Sequence, residues 1–338
     1  MARIGIIGAS GFTGAELLRL IAAHPDFEVV VATGDTQAGT AVADLYPSLA
    51  AAYPDLVFSP FDARFVDGLD LVFLGLPHGA AQEIVPQIEG RVPHVVDLSA
   101  DFRLKDPALY PAWYHQEHQC PELLGRFAFG LPELFRDDLH AAALIAAPGC
   151  YVTAATLALA PLVRRGIVES QGIIVDAVSG VSGAGRPAKP NTAFCTVDED
   201  FTAYGLLDHR HTPEMEQAIG AQILFTPHLA PMNRGILATC YARPAQAVST
   251  AGLLDVLSGA YKGEPFVVVS ERSPSTKATL GSNSAHLTAR YDERTGSVMV
   301  ISALDNLVKG ASGQAVQCAN LALGLPEAAG LPVAGVYP

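Results

Sequence analysis

Short apolar runs alternate with helical texture through the first half of the chain. Residues 3–7 and 27–32 are apolar strands, and residues 15–23 between them carry Leu17, Leu18 and Ile21 on one helical face. Further apolar runs lie at 69–74, 92–96 and 142–147, with a helical stretch at 79–88. Strands that alternate with helices predict an α/β fold whose parallel sheet is covered on both faces. The texture changes after Cys150. Runs at 173–178, 223–226, 236–242, 266–269, 286–291 and 297–304 read as strands, several joined by turns alone, such as 292–296. They predict a second α/β domain built on a mixed or antiparallel sheet. Residues 310–323 read as a late helix, and the segment after Leu325, rich in Pro, Gly and Ala, as a surface tail.

Residues 141–163 are apolar and uncharged, long enough to suggest a membrane span. Pro148-Gly149 cuts this stretch and Pro161 interrupts it again, so the expectation is a buried strand, a turn and a helix over 153–163. The chain has 338 residues, half of them hydrophobic and 16% charged, with a net charge of −13. That suits a large core and disfavours nucleic acid or an anionic membrane as partner. Five cysteines, odd in number, are scattered without a C-x-x-C spacing, so neither a zinc ribbon nor a disulfide framework is indicated. The chain starts directly with a strand and leaves no room for a signal peptide. A reduced, cytoplasmic protein is expected.

Candidate chemistry is concentrated in a few segments. Gly8, Gly11 and Gly14 form a G-x-x-G-x-x-G loop after the first strand and before a helix, the place of a dinucleotide-binding loop in a Rossmann-type domain. The second strand ends at Thr33-Gly34, with Asp35 one position late. A small polar residue there, in place of an acid, leaves room for a ribose 2′-phosphate and favours NADP. Cys150 follows Pro148-Gly149 at or just before a helix start, where backbone N–H groups stabilise a thiolate or an oxyanion. A small buried cysteine is the alternative. His209 and His211 flank Arg210 ahead of Thr212, which is placed to cap a helix from Pro213; either histidine can act as acid/base or substrate contact, or simply pack. The H-x-H spacing lacks partner ligands, so no metal is expected. Ser179 to Arg186 is a glycine-rich loop able to wrap an anion or an amide, or an irregular crossover. Arg103 follows a strand end and faces either a phosphate or a surface ion pair with Asp101 or Asp106. Arg234 lies in a proline-fixed loop and can take a carboxylate. His228 in that loop can satisfy backbone groups, and Cys195 reads as a packed residue.

Seven segments in order resemble one family: Gly8 to Gly14, Asp97 to Arg103, Pro148-Gly149-Cys150, Ser179 to Arg186, His209 to Glu214, Phe225 to Gly235 and Asp305 to Ala315. The chain resembles the N-acetyl-γ-glutamyl-phosphate reductases, which belong with the aspartate-semialdehyde dehydrogenase-like proteins. The resemblance implies a Rossmann domain of residues 1–149 plus 311–338 and an inserted catalytic and dimerisation domain of residues 150–310. It implies NADPH-dependent reduction of N-acetylglutamyl 5-phosphate to the 5-semialdehyde, in arginine biosynthesis, through a thioester on Cys150. His211 then transfers the proton, with His209 its rival. Arg103, Arg210, Arg234 and Ser179 are expected at the substrate. Gly8, Ser10, Gly11, Phe12, Thr13, Gly14, Thr33, Ser182, Gly183, Asn306 and Gly310 are expected at NADP(H). The small-molecule substrate is accompanied by self-association into a dimer or tetramer. The rivals are a sibling reductase of an aspartyl or aminoadipyl phosphate, a non-redox cysteine hydrolase or acyltransferase, and a non-catalytic dinucleotide sensor.

Overall fold

The computed structural model describes all 338 residues. The chain folds into two compact units, residues 1–148 with 311–331 and residues 149–310 with 332–338. The sequence boundary holds the whole segment 311–338 with the first domain, but the last seven residues pack in the second unit. There the Asn283 N–H donates to the Pro332 carbonyl at 2.8 Å and the Val336 N–H to the Leu280 carbonyl at 2.7 Å.

The first unit is built on a six-stranded sheet, in the order β2-β1-β3-β4-β6-β5. Its strands are β1 (Ala2–Ile7), β2 (Phe27–Ala32), β3 (Leu71–Leu74), β4 (His94–Asp97), β5 (Ala128–Phe129) and β6 (Leu144–Ala146). Every pairing is parallel. All four residues of β3 are buried, as expected of a central parallel strand covered on both faces. The helix Phe12–Ile21 turns Leu17, Leu18 and Ile21 inward. The late helix is shorter than its apolar run. A π-helical turn, Val308–Ser312, precedes the α-helix Gly313–Ala322, all of whose residues are buried.

The second unit carries a seven-stranded mixed sheet, in the order β11-β12-β13-β10-β7-β9-β8. Its strands are β7 (Ile173–Gly180), β8 (Thr202–Ala203), β9 (Ile223–Ala230), β10 (Ile236–Ala242), β11 (Val267–Val269), β12 (Ala285–Asp292) and β13 (Ser297–Leu304). The pairs β7–β9 and β11–β12 are parallel and the others antiparallel.

The helix Cys150–Arg164 packs in this unit and is buried from Tyr151 to Leu162. It runs straight through Pro161, where the sequence predicts an interruption. Proline has no N–H to give to the carbonyl four residues back and normally kinks or ends a helix. Here the stranded carbonyl, that of Leu157, accepts the Tyr261 hydroxyl at 2.6 Å. A phenol from the neighbouring helix end replaces the missing backbone donor. Tyr261→Phe removes that donor and leaves a buried acceptor unsatisfied. Urea melts should show a loss of about 1–3 kcal/mol; a variant as stable as the wild type would refute this account of the unbroken helix.

Candidate active site

In the first unit the glycine loop is fixed from below by the end of β2. The Ala9 N–H donates to the Thr33 carbonyl at 2.7 Å and the Gly8 N–H to the Thr33 hydroxyl at 3.1 Å. Thr33 is therefore buried beneath the loop, and its side chain does not line the open end of β2. Gly34, whose added Cβ would lie 3.0 Å from the Ser10 Cβ, and exposed Asp35 occupy that end. The Tyr46 hydroxyl holds the Ser10 carbonyl at 2.7 Å and the Ser312 hydroxyl the Thr13 carbonyl at 2.8 Å. Neither residue was singled out in the sequence, because each reaches the loop from a distant segment.

The three glycines do different work. Gly8 has φ +86°, and an added Cβ would fall 2.5 Å from the Gly75 carbonyl oxygen; at Gly14 it would fall 2.4 Å from the Ala9 Cα. Packing demands both. At Gly11 the nearest atom would be 3.8 Å away, so the chain itself leaves that space open. Gly11 is also the N-cap of the helix Phe12–Ile21, with no side-chain cap and no acid in the first turn. Open space above uncapped N–H groups at a positive helix end fits a pyrophosphate. Ser10, Gly11, Phe12 and Thr13 form that rim.

Arg103 stands at the carboxyl ends of β4 and β6 in the first unit. It is buried, and donates from Nε to the Ala147 carbonyl and from Nη2 to the Leu98 carbonyl, both at 2.8 Å. The expected alternative places Arg103 at the surface, whereas Arg103 and Asp101 are both buried. Asp101 is fully buried and accepts the Gly79 N–H at 2.8 Å and the Ala81 N–H at 2.9 Å; His78 Nδ1 lies 2.5 Å from it.

In the second unit Cys150 is the first residue of its helix, which has Gly149 as an N-cap without side-chain cap and no acid in the first turn. The Gly149 N–H donates to Glu214 Oε1 at 2.9 Å. A Cβ on Gly149 would fall 2.4 Å from His211 Nε2, so the edge of the imidazole rests on the residue before the cysteine. Gly310, in the π-helical turn, backs the cysteine itself: its added Cβ would be 2.8 Å from the Cys150 Cβ. Gly310 is buried there.

His211 opens the helix His211–Ile219. The sequence places the helix start at Pro213 behind a Thr212 cap, but Thr212 lies buried inside the first turn. The N–H that needs an acceptor is that of His211, and it donates to His209 Nδ1 at 3.1 Å. His209 is enclosed by Tyr151, Tyr204 and Phe225, with ring centroids 5.8, 5.6 and 5.2 Å away. Burial first, and the Arg210 guanidinium second, hold His209 down at about 4. At neutral pH it is an uncharged acceptor. Arg210 is exposed.

Other expected residues hold loops together. Asn306 is buried, accepts the Gly235 N–H at 2.7 Å and donates to the Ser182 hydroxyl at 2.9 Å. It thereby ties the Ser179–Arg186 loop to the loop that carries Arg234. Ser179 is buried and donates to the Gly180 carbonyl at 2.9 Å, while Gly183 is exposed. Arg234 Nη1 lies 3.5 Å from Asp305, a buried carboxylate that also accepts the Gly281 N–H and the Leu307 N–H. His228 Nδ1 lies 3.4 Å from the Ala177 carbonyl, and the His228 carbonyl accepts the Tyr151 hydroxyl at 3.0 Å. No group of three or more His, Cys, Asp or Glu side chains is placed to hold a metal ion.

Two family models cover most of the chain. Residues 3–142 match the semialdehyde dehydrogenase NAD-binding domain and residues 150–306 the semialdehyde dehydrogenase dimerisation domain. Aspartate semialdehyde dehydrogenase II from Vibrio cholerae has the same fold at TM-score 0.70 and 17% identity, over 96% of this chain and 99% of its own. An aspartate semialdehyde dehydrogenase from Candida albicans, solved with NADP, aligns at TM-score 0.70 and 14% identity, over 95% of this chain and 98% of its own. These features define a two-unit, nucleotide-binding semialdehyde dehydrogenase-type oxidoreductase. An N-acetyl-gamma-glutamyl-phosphate reductase from Geotalea daltonii is 47% identical over the full length of both chains. The chain belongs to the N-acetyl-gamma-glutamyl-phosphate reductase family.

No two cysteines are bridged. Cys120, Cys240 and Cys318 are buried, Cys150 is partly exposed and Cys195 is exposed. The reading of Cys195 as a packed residue is corrected: it lies on a short exposed helix, Phe194–Val197. Burial pushes the Cys120 thiol up to about 11 and Cys240 to about 12. Iodoacetamide at pH 7.5 should therefore label Cys150 and Cys195 in the folded protein and spare the other three. Peptide mass spectrometry checks this, and rapid labelling of Cys240 or protection of Cys150 would contradict it.

Proposed function

We propose that the protein reduces N-acetyl-L-glutamyl 5-phosphate to N-acetyl-L-glutamate 5-semialdehyde and phosphate, with NADPH, as a step of arginine biosynthesis. The observation that carries the reading is Cys150 at an uncapped helix start with the His211 imidazole lying on the preceding residue. The Cys150 thiolate attacks the acyl carbon, the bond to the phosphate oxygen breaks, and an acyl thioester remains on the cysteine. First-turn N–H groups of the Cys150–Arg164 helix are placed to stabilise the oxyanion of that step. Bound NADPH supplies the two electrons that take the acyl group to the aldehyde level. His211 receives the thiol proton at the outset and manages the proton when the reduced adduct collapses and thiolate returns. His209 is neutral, with Nδ1 engaged by the His211 N–H; we assign it to orienting that helix start.

Ser10, Gly11, Phe12 and Thr13, with Gly8 and Gly14 shaping their loop, hold the cofactor phosphates in this reading. Thr33 and Asn306 act by fixing loops, and Ser182, Gly183 and Gly310 border the site. Arg103, Arg210, Arg234 and Ser179 remain the candidates for the substrate's anionic and polar groups. The first unit serves as the dinucleotide-binding domain and the second as the catalytic domain.

The second unit also supports self-association. Leu224, Ile174 and Tyr241 are exposed and stand directly beside one another across β9, β7 and β10. An apolar row on a sheet face fits a second copy of the same unit, as a dimer or within a tetramer. The net charge of −13 and the lack of any helix long and apolar enough to cross a membrane accord with a cytoplasmic enzyme that engages neither nucleic acid nor membrane.

NADP⁺ reduction with N-acetylglutamate semialdehyde and inorganic phosphate tests the reading. Turnover should require phosphate. Cys150→Ala should abolish it in a protein that still folds and binds NADP⁺, and His211→Asn should lower kcat by about 10²–10⁴. Equal turnover on aspartate semialdehyde would favour the sibling reductase. Bound NADP⁺ without turnover on either aldehyde would overturn the enzyme reading.

A further inference from the structure

Glu214 is fully buried, yet no step of the reaction above uses it. It lies one helical turn after His211 in the same helix, so the two side chains share a face. One of its oxygens takes the Gly149 N–H, and Gly149 is also the residue on which the His211 ring rests. A carboxylate and an imidazole from one helix thus converge on the single residue that precedes Cys150.

A buried carboxylate is costly unless positive charge or several donors compensate it. Of the other titratable groups around the imidazole, Arg210 alone is charged across the working range, and it acts on His209 and Tyr204. Burial raises Tyr151 on the cysteine helix far above its ordinary value and Tyr204 to about 12, and it lowers His209 to about 4. All three are neutral across the working range. Arg210, between the histidines, is exposed to solvent. The groups that remain to exchange a proton are Cys150, His211 and Glu214.

We propose that Glu214 is a positioning residue that acts through His211: its carboxylate pins the Gly149 turn and holds the imidazole in its charged form beside the Cys150 thiolate. The proton balance is closed. The thiol proton moves to the imidazole, leaving thiolate and imidazolium, and Glu214 stays ionised throughout as the counter-charge. This rests on the assignment of Cys150 and His211 above. The alkylation arm of its test needs neither substrate nor cofactor, so the charge pairing and the turnover reading fail separately.

The test is the pH dependence of iodoacetamide alkylation at Cys150, between about pH 5 and 9, in full-length protein carrying Cys195→Ser. Glu214→Gln keeps an oxygen for the Gly149 N–H and removes only the charge. We expect its alkylation midpoint to rise by about one pH unit and its kcat to fall about 10- to 100-fold, with the aldehyde KM within about twofold. Adding Glu214→Gln to His211→Asn should change neither profile further. An E214Q protein with wild-type alkylation and kcat would reduce Glu214 to a backbone clamp. A full shift that persists in the His211→Asn background would show that Glu214 does not act through His211. Should E214Q fail to fold, wild type and His211→Asn decide. Loss of the low-pH alkylation limb in His211→Asn supports the charge pair, and identical profiles overturn it.

Discussion

Position 149 has no room for a side chain, and most of the candidate site follows from that. A Cβ there would collide with the His211 ring, so glycine alone lets the imidazole rest against the residue before the cysteine. The same residue gives its N–H to Glu214. The turn between strand β6 and the cysteine helix is therefore fixed from one side by two groups of a single helix. No side chain caps that helix start through Gly149, and no acid lies in its first turn, so the positive end of the helix faces the sulfur without a side-chain counter-charge from its own first turn. Packing, capping and acid/base geometry are one constraint here, imposed at one backbone position.

Around this point the protein places neutral hydrogen-bonding groups where charged ones would interfere. His209 accepts a backbone N–H as an uncharged ring, and the Tyr204 hydroxyl donates to the Tyr151 hydroxyl at 3.1 Å. Their burial among Phe225 and one another removes them from the ionisation balance and makes them a rigid wall. The buried carboxylate of Asp305 does comparable work on another side, gathering backbone N–H groups of the 280s and 300s while Arg234 approaches it.

The parts legible in the sequence are those whose meaning is local. A glycine triplet between a strand and a helix, a cysteine after Pro-Gly, and two histidines ahead of a helix declare themselves within a few residues. The alternation of apolar runs marks the parallel sheet for the same reason. What stayed hidden depends on partners far along the chain. Pro161 looks like a helix breaker until Tyr261, a hundred residues later, supplies the missing donor. Thr33 looks like a cofactor contact until the loop it supports folds back over it. Arg103 looks free to reach outward, yet two of its donors close on carbonyls of neighbouring strands. Glu214 closes the fifth of the seven segments as a mere motif residue, and only the fold aims it at Gly149.

The first unit is discontinuous, and this has a consequence for how the protein is made. Its helix Gly313–Ala322 is buried along its whole length and packs against the helices Phe12–Ile21 and Pro132–Leu139 and against β4. A ribosome delivers that helix only after residues 149–310 have been synthesised. During that interval the early sheet stands without one of its covering layers, and its apolar face must be shielded by other means. The inserted unit, whose sheet strands all lie between residues 173 and 304, is complete in its sheet before the unit that surrounds it is. The sheet begun first thus gains its last covering helix only after every strand of the inserted unit has been made.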